Sequence, residues 1–227
     1  MPLQRVSFPV PTGQLDGALH LPEREAIGGC AVLHGFGGDP DQPHVVATCD
    51  ALAASGVAAL RFAFRDHEPP RMTIDSALED AVGALRLLRV HPQVAQRYAV
   101  VGFSFGGAVA ALAAGRDHRI AAAVLAAAPS MTRGGAAGWT GGGKWRPVAE
   151  LSHTRARVLL VWGTEDTQVP FADAESYDSV LSQARVTHRV VRIAGGDHDF
   201  EPETARERMT ATVAEWIAQS FTAGRPA

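Results

Sequence analysis

The stretch Val100-Val101-Gly102-Phe103-Ser104-Phe105-Gly106-Gly107 decides how the rest of the chain is interpreted. Its first residues form an apolar run typical of a buried strand, and an alanine-rich apolar helix pattern follows. Its centre matches Gly-x-Ser-x-Gly, in which a serine stands on a tight turn between a strand and a helix. The glycines leave room for that turn, because a Cβ there would collide with neighbouring backbone. The pattern predicts an exposed, nucleophilic Ser104 hydroxyl at the edge of a sheet. The alternative is a glycine-rich turn that happens to contain a serine.

Strand and helix patterns alternate along the chain. Apolar runs at 27–34, 57–64, 98–103, 120–128, 158–162 and 186–193 predict strands. Helical spacing separates them, as in Ile74, Leu78, Ala81 and Leu85. Such alternation is typical of a mostly parallel sheet with helices on both faces. Residues 5–10 and 14–21 flank a Pro-Thr-Gly turn and predict an antiparallel hairpin, so the expected α/β sheet has eight strands.

A second glycine-rich turn, His34-Gly35-Phe36-Gly37-Gly38, follows the third predicted strand. Acyl transfer through a serine needs two N–H donors that point at the developing oxyanion. Phe105 N–H at a helix N-terminus would be one donor, and Phe36 N–H in this turn would be the other. We expect His34 to organise the loop through hydrogen bonds. A dinucleotide-binding turn is excluded, because Pro40 occupies the position of the third glycine of Gly-x-Gly-x-x-Gly.

Two further candidates follow the seventh and eighth predicted strands. Glu165 and Asp166 both lie just past a strand end, where either could serve as the acid or merely cap the next helix. His198 follows the last strand on a Gly-Gly loop. We favour Asp166 as the acid, because the chain order Ser104, Asp166, His198 is that of a serine nucleophile, its orienting acid and its base. His198 would accept the Ser104 proton, and Asp166 would orient the imidazole.

With these elements in place, the chain resembles the α/β-hydrolase superfamily over nearly its whole length. The family pattern Gly-x-x-Asp-x-x-Val-Pro matches Gly163, Asp166, Val169 and Pro170, which supports Asp166 over Glu165. The size and the Gly-x-Ser-x-Gly-Gly turn are similar to small bacterial carboxylesterases and dienelactone-hydrolase-like proteins. Dienelactone hydrolases themselves carry cysteine at the nucleophile position, where this chain has Ser104. The resemblance therefore implies a serine hydrolase with an α/β-hydrolase fold and a minimal lid.

Length and composition narrow the class of protein. The chain of 227 residues and 23.9 kDa predicts one domain, residues 1–227, because 46% of its residues are hydrophobic. Its formal charge of −3 argues against a nucleic-acid surface. Residues 98–115 carry no charge, but their glycines fit the serine turn better than a membrane span. With no apolar leader pattern and only Cys30 and Cys49, we expect a soluble, cytoplasmic protein.

Residues 129–153 are rich in glycine and predict a short flap or lid loop that is too small for a helical cap. An open site would then have a pocket walled by aromatic and apolar side chains, and we expect short-chain or aryl carboxylic esters as substrates. Thioesterase, lactonase, peptidase or perhydrolase activity would use the same residues. A non-catalytic binding module of the same fold is the alternative of a different class. The candidate pocket residues are Phe36, Phe105, Met131, Trp139 and Trp145.

Metal and cofactor sites have little support in the sequence. No His-Glu-x-x-His pattern and no paired cysteine cluster is present. Asp197-His198-Asp199 could imitate a ligand set, but its place after the last strand fits the role of His198 as a base. We therefore expect neither a metal nor a cofactor, and a small-molecule ester as the partner, without nucleic acid or membrane.

Overall fold

An eight-stranded sheet forms the centre of the protein. The structure, a computed structural model, describes residues 2–66, 71–131 and 145–223. The strand order is β1-β2-β4-β3-β5-β6-β7-β8; β1 and β2 pair antiparallel, β2 joins β4 antiparallel, and the remaining neighbours are parallel. The predicted α/β sheet of eight mostly parallel strands is confirmed. The strands are β1 Leu3–Val10, β2 Gly13–His20, β3 Gly29–Leu33, β4 Ala58–Phe62, β5 Tyr98–Phe103, β6 Ile120–Ala126, β7 Arg157–Gly163 and β8 His188–Ile193.

Helices cover both faces of the sheet. Neighbouring strand residues point to opposite faces, so the apolar strands present side chains on both faces that the helices bury. Val100 packs into the core beneath α2, α3 and α5, whereas Val101 packs into the core beneath α1 and α6. Cys30 and Cys49 are free, fully buried thiols in this second core. The helices are α1 Pro43–Ala54, α2 Ile74–Val90, α3 Phe105–Arg116, α4 Pro147–Glu150, α5 Phe171–Gln183 and α6 Glu203–Thr222, with a 3-10 turn at Leu151–His153.

The predicted strand boundaries agree with the structure to different degrees. The run 98–103 is β5 from end to end, whereas the runs 27–34, 57–64 and 120–128 extend past the observed strands. Those excess residues lie in the segments just before or after the strands, where the hydrogen-bonded ladder has not begun or has already ended although the apolar pattern continues. The uncharged residues 98–115 are divided between β5, the serine turn and α3. No helix in the described ranges has the length and apolar character needed to cross a membrane.

The segment 129–153 was predicted to be a loop, but its C-terminal end forms a short helix and a 3-10 turn. Pro147 occupies the first turn of α4, and the 3-10 turn follows directly. Val148 and Leu151 are buried in the core, so apolar burial stabilises this end despite the glycines before it. The start is also anchored, because Ser130 N–H and Oγ donate to the Asp173 carboxylate of α5 at 2.9 and 2.5 Å. Residues 132–144, and with them Trp139, lie outside the described residues.

Candidate active site

Ser104 occupies the tight turn between β5 and α3. Its backbone has φ 51° and ψ −117°, which a residue with a Cβ adopts only under strain. Hydrogen bonds hold the turn in this conformation: Ser104 N–H donates to the Ala126 carbonyl at 2.8 Å, and the Ser104 carbonyl accepts Gly107 N–H at 2.9 Å. A Cβ on Gly102 would fall on the Gly106 backbone, and one on Gly106 would fall on the Leu33 and His34 carbonyls. The glycines therefore allow the strained serine turn.

The turn after β3 is organised by His34, whose side chain is fully buried. Its Nε2 accepts Phe64 N–H at 3.2 Å, so its Nδ1 carries the proton and donates to the Gly35 carbonyl at 2.8 Å. Only a neutral imidazole can make both hydrogen bonds. The ring also lies 4.7 Å from the Phe64 ring. His34 thus links the end of β3 to the segment that follows β4.

This turn passes directly beside Ser104. A Cβ built on Gly35 would lie 3.5 Å from the Ser104 Cβ. Gly38 N–H donates to the Gly35 carbonyl at 3.1 Å, and Gly37 N–H donates to the Met72 Sδ at 3.5 Å. Among the described residues, Phe36 N–H has no hydrogen-bond partner. It is therefore available to an oxygen atom held next to Ser104.

Asp166 lies in the loop after β7 with 1% of its side chain exposed. Its Oδ1 accepts the N–H groups of Gln168 and Val169 at 2.8 and 3.0 Å, and its Oδ2 is 2.9 Å from His198 Nδ1. Burial raises the pKa of this carboxyl, but the hydrogen bonds from His198 and the backbone outweigh burial and lower the pKa below its ordinary value. Glu165 instead is exposed, with its carboxylate beside Thr164 Oγ1.

His198 is brought to Asp166 by contacts between the loops after β7 and β8. Glu165 N–H donates to the Gly196 carbonyl at 2.8 Å, and Gly195 N–H donates to Thr164 Oγ1 at 2.9 Å. Because ionised Asp166 only accepts, His198 Nδ1 carries the proton and Nε2 keeps a lone pair. Ser104 Oγ and His198 Nε2 line the same cavity without being hydrogen-bonded to each other. Such contacts commonly tighten only when substrate is bound.

We call the space above these residues the Ser104 cavity. It has a volume of about 440 Å³ and opens to solvent at the carboxyl ends of the parallel strands, where ligands bind in open α/β sheets. Backbone of the turn after β3 forms one wall, and the loops after β6, β7 and β8 form the others. Its described lining residues are Gly35, Phe36, Gly37, Gly38, Gln42, Ser104, Pro129, Met131, Gln168, Val169, His198 and Asp199.

Two of the expected pocket residues, Phe105 and Trp145, do not line this cavity. Phe105 has a fully buried side chain that packs on Phe36 with ring centroids 5.7 Å apart. Trp145 packs against the core, 4.9 Å beneath the Arg116 guanidinium at the far end of α3. Both rings are occupied by packing contacts. The residue type alone does not show whether an aromatic ring packs in the core or faces a pocket. Trp139 lies outside the described residues, whereas Phe36 and Met131 do line the cavity.

Sequence reasoning missed several polar residues in the lining. Gln42, Gln168 and Asp199 all border the Ser104 cavity. Asp199 had a signal, because it directly follows His198. Gln42 and Gln168 had none, since each is an ordinary loop residue whose place depends on how the loop folds. The described residues also contain no cluster of three or more His, Cys, Asp or Glu side chains arranged to hold a metal ion.

The strand order, the serine turn after β5 and the candidate acid and base after β7 and β8 define the α/β-hydrolase class. Within that class, the chain belongs to the dienelactone hydrolase family, whose model matches residues 63–222. A protein from a Synechocystis species, provisionally described as a carboxymethylenebutenolidase, is 27% identical over 124 residues. That match covers 54% of this chain and 48% of the relative, so the chain spans about half the length of that relative.

Solved structures share the fold over nearly their whole length. Est1E from Butyrivibrio proteoclasticus superposes with a TM-score of 0.76 at 20% identity, covering 96% of this chain and 99% of that one. A dienelactone hydrolase from Anabaena variabilis gives 0.75 at 24% identity, covering 96% and 97%. Est1E has also been solved with ferulic acid bound, with a TM-score of 0.78 at 19% identity and the same coverage as its first structure. These likenesses support the fold, and the family match supports a hydrolase of ester-type substrates.

Proposed function

We propose that the protein is a serine hydrolase that cleaves carboxylic esters with short-chain or aryl groups. The observation that carries the proposal is the His198–Asp166 pair beside a strained, accessible Ser104 in one cavity. Ser104 attacks the ester carbonyl as His198 Nε2 accepts its proton, and the acyl group is held on Ser104 Oγ. His198 then protonates the leaving alcohol, and water releases the acid by the same steps.

Backbone N–H groups around Ser104 stabilise the negative charge that develops on the carbonyl oxygen of the substrate. Phe36 N–H, which lacks a partner among the described residues, and Phe105 N–H at the start of α3 would donate to the tetrahedral oxyanion. The helix dipole of α3 favours negative charge at the same place. Asp166 remains ionised and stabilises the imidazolium, in keeping with its lowered pKa.

The deciding experiment compares initial rates on p-nitrophenyl acetate, butyrate and dodecanoate for the wild type and Ser104→Ala. We expect kcat to fall about 10³-fold or more in the variant, because the acyl-enzyme can no longer form. Acetate and butyrate should react faster than dodecanoate, since the described lining is rich in polar side chains and glycine backbone and offers little apolar surface to a long acyl chain. Ser179→Ala, which changes an exposed serine on α5, is the matched control and should leave the rates unchanged. Full activity in Ser104→Ala would contradict the mechanism, and a preference for dodecanoate would contradict the substrate class.

A lactone is the second candidate substrate, because the family match and the provisional name of the Synechocystis relative both point to lactone opening. A lactone is an internal ester, so the same residues would act and the alcohol product would stay attached to the acid. Hydrolysis of dihydrocoumarin at a kcat/KM well above that of p-nitrophenyl butyrate would favour this substrate class. The same Ser104→Ala variant tests whether both reactions use one nucleophile.

A further inference from the structure

Asp199 is a charged residue of the Ser104 cavity that the mechanism leaves unused. It directly follows His198 and is half-buried. Among the described residues, its carboxylate has no hydrogen-bond or ion-pair partner. Asp199 borders two spaces at once: the Ser104 cavity and a smaller cavity of about 270 Å³. The smaller cavity is lined by Gln42, Pro43, His44, Asp199, Glu201 and Arg206.

The charge of the Ser104 cavity depends on this residue. No lysine or arginine occurs among its described lining residues, and Asp199 is their only carboxylate. Arg206 also lines the smaller cavity, but its Nη1 donates to the Glu201 carbonyl at 2.7 Å, and it forms no ion pair with Asp199. The described lining therefore carries a net negative charge beside His198.

The position of Asp199 next to His198 indicates that it lies near the alcohol portion of the ester. In a serine hydrolase the base returns its proton to the leaving alcohol, so the alcohol portion lies on the histidine side of the scissile bond. Asp199 is the next residue after His198, and both line the Ser104 cavity. An unpaired carboxylate there attracts a cation and repels an anion.

We propose that Asp199 sets the charge preference for the alcohol portion of the ester. Esters of cationic alcohols are preferred over neutral esters of the same shape, and esters of anionic alcohols are rejected. This inference rests on the proposed ester hydrolysis and narrows it to a substrate class.

The test uses three acetates of similar shape that differ in charge. These are acetylcholine, dimethylbutyl acetate with a tert-butyl group in place of the trimethylammonium group, and acetyl isethionate with a sulfonate. We expect kcat/KM to fall in that order, by about five- to tenfold at each step at low ionic strength, as expected for one charge several ångströms from another. Added salt should compress the differences, because an exposed charge is screened.

The Asp199→Asn variant should lower both kcat/KM ratios, acetylcholine to dimethylbutyl acetate and dimethylbutyl acetate to acetyl isethionate, about five- to tenfold from the wild-type ratios, leaving the differences in intrinsic reactivity that the alkaline hydrolysis of the three esters shows. The ratios isolate charge recognition, because any effect of Asp199 on the basicity of His198 applies equally to all three esters. Glu201→Gln is the matched control: it removes a neighbouring exposed carboxylate that lines only the smaller cavity, so the ratios should stay as in the wild type. Unchanged ratios in Asp199→Asn would overturn the proposal.

Binding to Ser104→Ala separates this inference from the proposed function. Calorimetry with that variant should give tighter binding of acetylcholine than of dimethylbutyl acetate, and the difference should vanish when Asp199→Asn is added. If the wild type hydrolysed none of the esters, ester hydrolysis would be contradicted, but this binding preference would still decide the role of Asp199. Equal binding of the two compounds would overturn the role of Asp199 whatever the turnover.

Discussion

Asp166 shows how much one buried carboxylate depends on its surroundings. One oxygen is held by two backbone N–H groups and the other by His198, so the side chain cannot rotate without losing hydrogen bonds. Glu165, its neighbour and sequence alternative, points to solvent beside Thr164. Adjacent acids in a strand-end loop thus have different environments, because only one can turn toward the loop after β8.

We expect Asp166→Asn to lower kcat on p-nitrophenyl butyrate by about 10³- to 10⁴-fold. An amide in place of the carboxylate stabilises the wrong imidazole tautomer and cannot balance the imidazolium charge. Steady-state rates for Asp166→Asn and Glu165→Gln provide the comparison, and the Glu165 variant should remain within about twofold of the wild type. Loss of activity in Glu165→Gln with Asp166→Asn still active would reverse the assignment of the acid.

β4 contributes to the site through Arg61, which holds the end of the turn after β3. Its Nη1 donates to the Pro40 carbonyl at 3.2 Å and pairs with Asp41. Its Nε donates to His20 Nε2 at 2.9 Å, so His20 Nδ1 carries the proton and donates to Asp50 at 2.9 Å. Burial lowers the pKa of His20, which keeps the ring in the neutral form that this chain of contacts needs.

Replacement of Arg61 by methionine should loosen the turn that carries Phe36 N–H. We expect kcat to fall about tenfold with KM nearly unchanged, because a poorly held oxyanion donor matters most in the transition state. Full kinetics on p-nitrophenyl butyrate would separate the two constants. Arg5→Met is the control, since Arg5 is an exposed arginine of β1 whose side chain has no hydrogen bond or ion pair to the turn among the described residues. A rise in KM with kcat intact would show that Arg61 affects substrate binding instead.

The pH dependence of folding stability involves His44, a residue of α1 with 3% of its surface exposed. Burial lowers its pKa to about 4, the nearby charge of Arg206 lowers it further, and the charge of Asp197 opposes this shift. The unfolded chain has the ordinary value of 6.5 and binds more protons between these two pKa values. The stability due to a neutral His44 is therefore present above pH 6.5 and is lost as the pH falls toward 4.

Between about pH 7.5 and about pH 5, His44 should contribute a loss of about 2 kcal/mol in the free energy of unfolding. His44→Gln removes this titration, so its stability should decline less over the same pH interval. Urea denaturation at the two pH values measures the difference. His118→Gln, at an exposed histidine, should retain the wild-type decline. An equal decline in His44→Gln and the wild type would contradict the role of burial at this position.

Across the whole molecule, local patterns in the sequence determined the elements and the order of the candidate residues. The serine turn was recognisable because Gly102, Ser104 and Gly106 carry their steric requirement in their own residue types. Likewise, the bounds of β5 were predicted to the residue, because the polar residues Arg97 and Ser104 flank its apolar run. The placement of Asp166 and His198 after strands predicted that they meet, and they are 2.9 Å apart.

Only the tertiary structure decided which side chains face the Ser104 cavity. Trp145 and Phe105 are aromatic residues of the kind that often line pockets. In this structure both rings instead make packing contacts. Asp199 and Gln42 line the cavity although nothing in their residue types required it. The physical reason is one of range: backbone sterics and hydrophobic periodicity act between neighbours in the chain, whereas the direction of a loop side chain is set by contacts between segments far apart in sequence.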